Sequence, residues 1–595
     1  MREYSVPASF TIPDDASMAD TVFRYEKEFP NLVPFQRLIG GTWTDVKASQ
    51  FAKEVTAVAK GLIASGVELS DRVAILSSTR YEWVVLDYAI WTAGGCTVAI
   101  YETSSAHQAQ WILEDSATTL LVLETPAHAE AMKEVTEGAA ELREVLQIDA
   151  GAVDELTTRG AGISDEELHA RRHQVTASSP ATLIYTSGTT GRPKGVQLTH
   201  SNFYAEVQAT QIALHDSMKE GNRTLMFLPM AHVFARAISF GAFESKATVG
   251  HTSDVSTLLD QFASFKPDFI LSVPRVFEKV YNSAKQKAHD GGKGGIFDKA
   301  AATAIAWSEA KDKGSVGLVL NAKHAVFDKL VYSKLRAALG GNCDRAVSGG
   351  APLGARLGHF FRGVGIPVYE GYGLTETSAA VTVNTTAEQR VGSVGKPING
   401  HAAKIAEDGE LLLKGPVVFS GYWHNEKATA ESIIDGWFHT GDLGAIDQDG
   451  YVSITGRKKE IIVTAGGKNV APAVLEDALR ANALISQCLV VGDAKPFIGA
   501  LITLDPESLP GWKERHGIAE NIAFGDLKKN ADLIAEIDHA VADANKKVSN
   551  AEQIKKYKIL EHDFTVETGE LTPTMKLKRN IIHQERGAEI ASIYG

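Results

Sequence analysis

The sequence predicts an α/β protein in two parts. A large N-terminal domain of β-sheets flanked by helices covers residues 1–457, and a small C-terminal α+β domain covers residues 458–595. Three observations carry this prediction. Strand and helix periods alternate from Phe51 to Glu124 at the spacing of βαβ units, which implies a mostly parallel sheet. Near Gly409 the pattern turns to short strands with turn signals: GELLLKG, GYVSITG and EIIVTAGG. After Pro472 come one helix, two apolar strands and a charged helical tail, the pattern of a separate α+β unit.

In chain order, a helix over residues 52–65 leads to a strand at 72–78, a helix at 81–92, a strand at 97–101, a helix at 107–115 and a strand at 119–124. Further helices are predicted at 201–214, 276–289, 297–312 and 323–339, with short strands at 182–185, 269–273 and 368–370. Residues 151–180 read as a polar, partly helical surface connection, and 286–295 (QKAHDGGKGG) as a flexible tip. The C-terminal part should hold a helix at 473–482 and strands at 487–492 and 498–504.

Composition narrows the function. With 44% hydrophobic and 22% charged residues, the chain is no collagen-like, low-complexity or disordered protein. A net charge of −13 disfavours a general binder of nucleic acids or anionic membranes, so anionic ligands must be met by local donors. Cys96, Cys343 and Cys488 lie far apart and make no CxxC, which fits a reducing, cytoplasmic compartment. The N-terminus has no apolar h-region. No stretch reaches the roughly 18 apolar residues of a membrane span. The nearest, residues 84–100, carries Asp87 and reads as a buried helix running into a strand. No amphipathic anchor stands out.

The strongest local signal is YTSGTTGRPKG, Tyr185 to Gly195, directly after a strand-like run. Small hydroxylated residues and glycines let the backbone approach a polyanion, and Lys194 adds a cation. A Ser/Thr/Gly run alone also reads as a surface loop, and the spacing is not that of a Walker A loop. Five other segments stand out: SGGAPL (Ser348 to Leu353), YEGYGLTET (Tyr369 to Thr377), DGWFHTGDLG (Asp435 to Gly444), GRKKEIIVTAGGKNVAP (Gly456 to Pro472) and LTPTMKLKR (Leu571 to Arg579). GxGxxG, HExxH and GxSxG motifs are lacking, which removes the usual support for dehydrogenase, zinc-protease and serine-hydrolase readings.

In that order the motifs resemble the adenylate-forming superfamily, and most closely its actinobacterial long-chain fatty-acid–CoA ligases. The resemblance implies a large adenylate-forming domain with a mobile C-terminal lid. It implies ATP-dependent activation of a fatty acid to its CoA thioester through acyl-AMP, with Mg²⁺, ATP and coenzyme A. Thr186, Ser187, Gly188, Thr189, Thr190 and Lys194 would hold the ATP phosphates, and Glu376 the metal. Gly350, Ala351, Pro352, Gly371, Tyr372, Gly373 and Thr375 would form the adenine side, with Asp442 and Arg457 on the ribose. His232, in LPMAHVFAR, matches the position near the substrate carboxylate, and Lys576 matches the catalytic lysine of the tail. Lys459 would be the hinge and Gly466, Gly467 and Lys468 the CoA-side turn, although this segment departs from the longer-known signature, which has Gly-Glu where Gly467 and Lys468 stand. Other readings stay open: a ligase for another carboxylate, an adenylation module for a separate carrier, or a silent nucleotide sensor. The expected partners are a fatty acid, ATP and CoA, with peripheral membrane contact and no nucleic acid.

Overall fold

The alternating pattern of residues 51–124 builds the centre of a seven-stranded sheet. Its strands, in spatial order, are Gly421–Tyr422, Lys194–Thr199, Pro180–Thr186, Cys96–Ile100, Arg72–Leu76, Leu120–Leu123 and Glu144–Gln147. The five from Pro180–Thr186 onward are parallel, and the first two run antiparallel to their neighbours. The computed structural model describes residues 1–186, 192–572 and 575–595.

A second sheet places Phe269–Ser272, Arg345–Ser348 and Val368–Tyr372 in parallel, followed by two short antiparallel strands. Between the layers lies the helix Tyr81–Thr92, buried at every position from Trp83 onward. A helix that is apolar on all sides belongs in a core. The one charge in its middle, Asp87, is met by Arg236 of the helix Val233–Glu244: Nη2 donates to Oδ1 at 2.7 Å and to Oδ2 at 2.9 Å. Thr97 donates to Asp87 at 2.7 Å, and Arg236 also donates to Thr182 at 2.7 Å. Both side chains are fully enclosed. Among the described residues no helix is long and apolar enough to cross a membrane.

A six-stranded antiparallel sheet closes the large domain, its last strand Val452–Arg457 paired with Trp437–Ile446. From Ile462 onward the buried side chains form clusters of their own, around the strands Ile485–Val491, Ile498–Leu504 and Ile554–Ile559. We propose the division between the domains at residues 457/458, where one core ends and before the next begins.

Several expectations need correction. The helix foreseen at 323–339 begins earlier, as Leu318–Phe327, then passes through a π-helical turn, Asp328–Tyr332, into Ser333–Ala338. The tip at 286–295 is a tight turn, because Pro274–Asp290 runs on to its end and Gly294–Asp312 starts at once. His289 bonds Asp298 across it at 3.1 Å. The connection at 151–180 is anchored, with Leu156 and Leu168 fully buried. The charged tail hides an edge strand, Ile554–Ile559 (IKKYKI), whose lysines protect a sheet margin. All three cysteines are buried and free, and burial pushes each thiol up to about 12.

Candidate active site

The two ends of the glycine-rich loop meet across a strand pair, Thr186 opposite Lys194. Ser187, Gly188, Thr189 and Thr190 lie outside the described residues. Lys194 opens the strand Lys194–Thr199, which leads into the helix His200–Ala213, capped by Thr199. The same strand pairs with Gly421–Tyr422, Val196 opposite Tyr422. That pairing holds the Lys194 ammonium 4.9 Å above the Tyr422 ring, while the Tyr422 hydroxyl donates to Glu376 Oε1 at 2.9 Å. One strand contact therefore links the Lys194 ammonium and the Glu376 carboxylate through a single tyrosine. Sequence reasoning missed Tyr422; a tyrosine in GYWH carries no signal until the pairing is known.

YEGYGLTET occupies the end of the strand Val368–Tyr372 and the 3₁₀ turn Thr375–Thr377. Gly371 pairs with Val383 at that strand end. Gly373 has no alternative, since a Cβ there would lie 1.4 Å from the Ala379 carbonyl oxygen. The chain doubles back on itself: Val381 donates to the Tyr372 carbonyl at 2.9 Å. Glu206, on the helix that follows the phosphate loop, fastens this return by accepting from the Ala380 N–H at 3.0 Å and from Thr210 at 3.1 Å. Burial pushes its carboxyl up to about 8, so it is protonated at neutral pH. It is a second residue the motifs did not show.

Asp442 and Arg457 are register partners on Trp437–Ile446 and Val452–Arg457. Arg457 Nε lies 3.0 Å from Asp442 Oδ1, and the Tyr372 hydroxyl donates to Oδ2 at 2.5 Å. Burial raises the Asp442 carboxyl, with Arg457 and Tyr372 acting in the other sense. Two strands and the YEGYGLTET loop thus converge on one carboxylate.

Gly350, Ala351 and Pro352 follow the strand Arg345–Ser348 and are exposed, while Leu353 donates to Glu370 at 2.9 Å and closes the loop onto the next strand. At Gly349 the backbone passes close to the Phe234 ring, and a Cβ there would stand 3.1 Å from it, closer than ordinary contact. Phe234 belongs to the first turn of Val233–Glu244, which His232 caps by accepting from the Phe234 N–H at Nδ1, 3.1 Å away. Burial, aided by Lys576, pushes this imidazole down to about 3, so it is neutral with its proton on Nε2.

The lid supplies Lys576 from a tight hairpin. Leu571 and Leu577 bridge across it, Met575 takes the left-handed conformation at φ 61°, and the Lys576 N–H donates to Thr572 Oγ1 at 3.0 Å. Pro573 and Thr574 lie outside the described residues. Two arginines brace the hairpin. Arg586 holds buried Glu570 at 2.8 Å, and Arg579 bonds Glu476 at 2.8 and 2.5 Å and Glu460 at 3.0 Å. By surface area Lys576 is exposed. Its ammonium is nevertheless pushed below the ordinary range, first by the protein crowded around it and then by Arg457, while Asp442, Glu376 and Glu460 pull the other way. The lysine, Asp442, Glu376, Arg457 and His232 therefore share one electrostatic neighbourhood.

Lys459 is exposed, and its neighbours are tied in opposite directions. Lys458 bonds Asp408 and, at 3.2 Å, Glu410 of the large domain, whereas Glu460 bonds Arg579 of the lid. Gly466, Gly467 and Lys468 form the exposed turn of the hairpin Ile462–Val463/Asn469–Val470. Its partners are lid residues: Ala465 donates to Lys495, and Lys468 lies 3.5 Å from Glu552. Among the described residues its bonds run within the C-terminal domain. The C-terminal and large domains also meet at three ion pairs, the half-buried Arg275–Asp505 at 3.2 Å and the more exposed Lys279–Glu507 at 2.9 Å and Arg515–Asp290 at 3.1 Å. Exposed pairs such as the last two are each worth less than about 1 kcal/mol.

The donor set suits a hard cation bound in part by substrate. Among the described residues no three His, Cys, Asp or Glu side chains cluster to hold a metal. Glu376 offers a single carboxylate close to the phosphate-side lysine. One or two carboxylates plus phosphate oxygens is the usual way Mg²⁺ is held.

Comparison with known proteins shows the family. Residues 24–423 match the model of the AMP-binding enzyme family, and residues 459–595 that of the AMP-binding enzyme C-terminal domain. The chain is 58% identical to the long-chain-fatty-acid–CoA ligase FadD15 of Mycobacterium tuberculosis, over 100% of both chains. It is 31% identical to the long-chain-fatty-acid–CoA ligase ACSBG2 of Xenopus laevis, over 93% of this chain and 80% of that one. Among solved structures, the anthranilate CoA ligase AuaEII in complex with anthranoyl-AMP superposes with a TM-score of 0.74 at 19% identity, over 98% of this chain and 99% of that one. O-succinylbenzoate CoA synthetase from Bacillus subtilis, in complex with ATP and magnesium, gives 0.68 at 21% identity, over 96% and 99%. The fold of those ligases is the fold of this chain, and the protein belongs to the AMP-binding enzyme family.

Proposed function

We propose that this protein converts a long-chain fatty acid to its CoA thioester in two steps at one site. The observation that carries the proposal is the convergence of Lys576 with Glu376, Asp442, Arg457 and His232, drawn from five separate segments. The full-length likeness to FadD15 supports the choice of acid. In the first step a carboxylate oxygen attacks the α-phosphorus of ATP, the bond to the bridging oxygen breaks, and pyrophosphate leaves. Thr186 and Lys194, with Ser187, Gly188, Thr189 and Thr190, hold the β- and γ-phosphates. Gly350, Ala351, Pro352, Gly371, Tyr372, Gly373 and Thr375 seat the adenine, and Asp442 with Arg457 takes the ribose. His232 Nε2–H orients the carboxylate, and Lys576 neutralises charge spread over the reacting oxygens. Glu376 would hold Mg²⁺, which when bound screens the phosphate charge. Positioning and charge stabilisation do most of this work.

In the second step the sulfur of CoA attacks the acyl carbonyl carbon, the bond to AMP breaks, and the thiol proton passes to solvent. Lys576 shares the neighbourhood of Glu376 and Asp442 while the turn Gly466–Lys468 is bonded within its own domain, so each step is assigned its own lid position. We assign the change of position to Lys459, the free residue between two anchored neighbours. The reaction is proposed for the cytoplasm, at the membrane surface where long acyl chains partition; nucleic acid has no part in it.

The test measures both half-reactions of Lys459→Pro, since proline fixes φ near −65° and removes an N–H. Acid-dependent ATP–pyrophosphate exchange should persist, and thioester formation from supplied acyl-AMP should fall by more than about tenfold, because only the second step needs the rotation. Normal rates for both steps would remove the hinge. Absence of exchange with any long-chain acid in the unaltered protein would remove the function itself.

A further inference from the structure

The helix Leu318–Phe327 is attached by one side only. Leu320, His324, Phe327 and Val331 follow one another at helical spacing on its inner side. The His324 ring stacks on Trp307 at 4.2 Å, Trp307 Nε1 donates to Asn321 at 2.8 Å, and Phe327 and Val331 pack on the main core. The other side carries Leu318, Val319, Ala322, Val326 and Leu330, again at helical spacing. Leu318, Val319 and Val326 are 88%, 72% and 56% exposed, the three most exposed large apolar side chains among the described residues, and Leu330 is 52% exposed. A helix apolar on both sides is normally covered on both. This one cannot roll inward, because its inner contacts already fix it.

The stripe is framed by positive charge. Lys323 stands four residues after Val319, Lys329 three after Val326 and Lys334 four after Leu330, so each borders the stripe. Among the described residues no carboxylate lies within ion-pair distance of Lys313, Lys323, Lys329 or Lys334, all exposed. The two acids of the segment are taken up by arginines, Asp312 by Arg362 and Asp328 by Arg336, each at 2.7 Å. Residues 311–336 thus carry a net charge of +4 in a chain whose total is −13.

We propose that this outer face docks on the anionic surface of a lipid bilayer, the apolar stripe entering the headgroup boundary and the lysines meeting lipid phosphates. An apolar strip bordered by lysines is the make-up of interfacial helices. A second copy fits worse, because a symmetric contact would set the same lysines against each other. The proposal builds on the assigned function, since a long-chain acid dissolved in the bilayer would then be met at its source. It gives an anchoring role to a helix that does not stand out as an amphipathic anchor in the sequence.

The test is co-sedimentation of the full chain with vesicles of phosphatidylcholine alone and of phosphatidylcholine with an equal amount of phosphatidylglycerol. The mixed vesicles should carry down the protein, less so as salt is raised. Leu318→Ser/Val319→Ser/Val326→Ser/Leu330→Ser should bind them at least ~10-fold more weakly with an unchanged melting midpoint. Adenylation of myristate delivered in solution on albumin should be equal in both proteins, and adenylation of palmitate offered in vesicles should drop only in the variant. Equal vesicle binding by both proteins would overturn the proposal. So would an unaltered protein that ignores vesicles but forms a dimer the variant lacks. Should neither acid be adenylated by either protein, the assigned function fails, while the vesicle result still decides the docking face.

Discussion

Lys576→Ala is expected to slow acyl-adenylate formation by about 10²–10³-fold, the usual loss when one donor to a developing anion is removed. Thioester formation from supplied acyl-AMP should stay near the normal rate. The hairpin would survive the change, because it is held by the backbone bond to Thr572 and by the Leu571–Leu577 bridge. Only the point charge is lost. Burial around the ammonium, and Arg457 after it, hold it below its ordinary range, with Asp442, Glu376 and Glu460 acting in the other sense. Separate rates for the two half-reactions check this, and equal loss of both would show that Lys576 serves the lid's fold rather than the first step.

The largest expected effect on stability is at Asp87. Asp87→Ala would leave the Arg236 guanidinium enclosed without its carboxylate, a change that costs about 3–5 kcal/mol in comparable buried pairs. Thr97 would lose its acceptor as well. Arg236 lies one turn beyond His232 on the same helix, so slower adenylation should accompany the loss. In denaturant unfolding, Asp87→Ala/Arg236→Leu should recover much of what the single change removes, because the stranded cation is then gone. A single variant within about 1 kcal/mol of the unaltered protein would mean that Arg236 finds other partners.

The sequence showed the chemistry better than the scaffolding that aims it. Lys194, Glu376, Asp442 and Lys576 stand in contiguous motifs that can be read without knowing the fold. Tyr422, Glu206 and the Glu460–Arg579–Glu476 clamp act across 46, 174, 119 and 103 residues of chain. Such contacts have no local pattern. The βαβ alternation was legible from period alone, whereas IKKYKI escaped because an edge strand wears its lysines outward. The helix Leu318–Phe327 was misread for the opposite reason. Its apolar residues run round both sides, so no single period separates the packed face from the open one.

The central claim is that this chain joins a long-chain acid to CoA at the expense of ATP. Its most direct test follows AMP, pyrophosphate and acyl-CoA from ATP and Mg²⁺, with fatty acids from octanoic to eicosanoic, with and without CoA. The account predicts that sustained AMP release needs both a long-chain acid and CoA, and matches acyl-CoA mole for mole. Pyrophosphate release with an acid but no acyl-CoA, or no release with any acid, would contradict it.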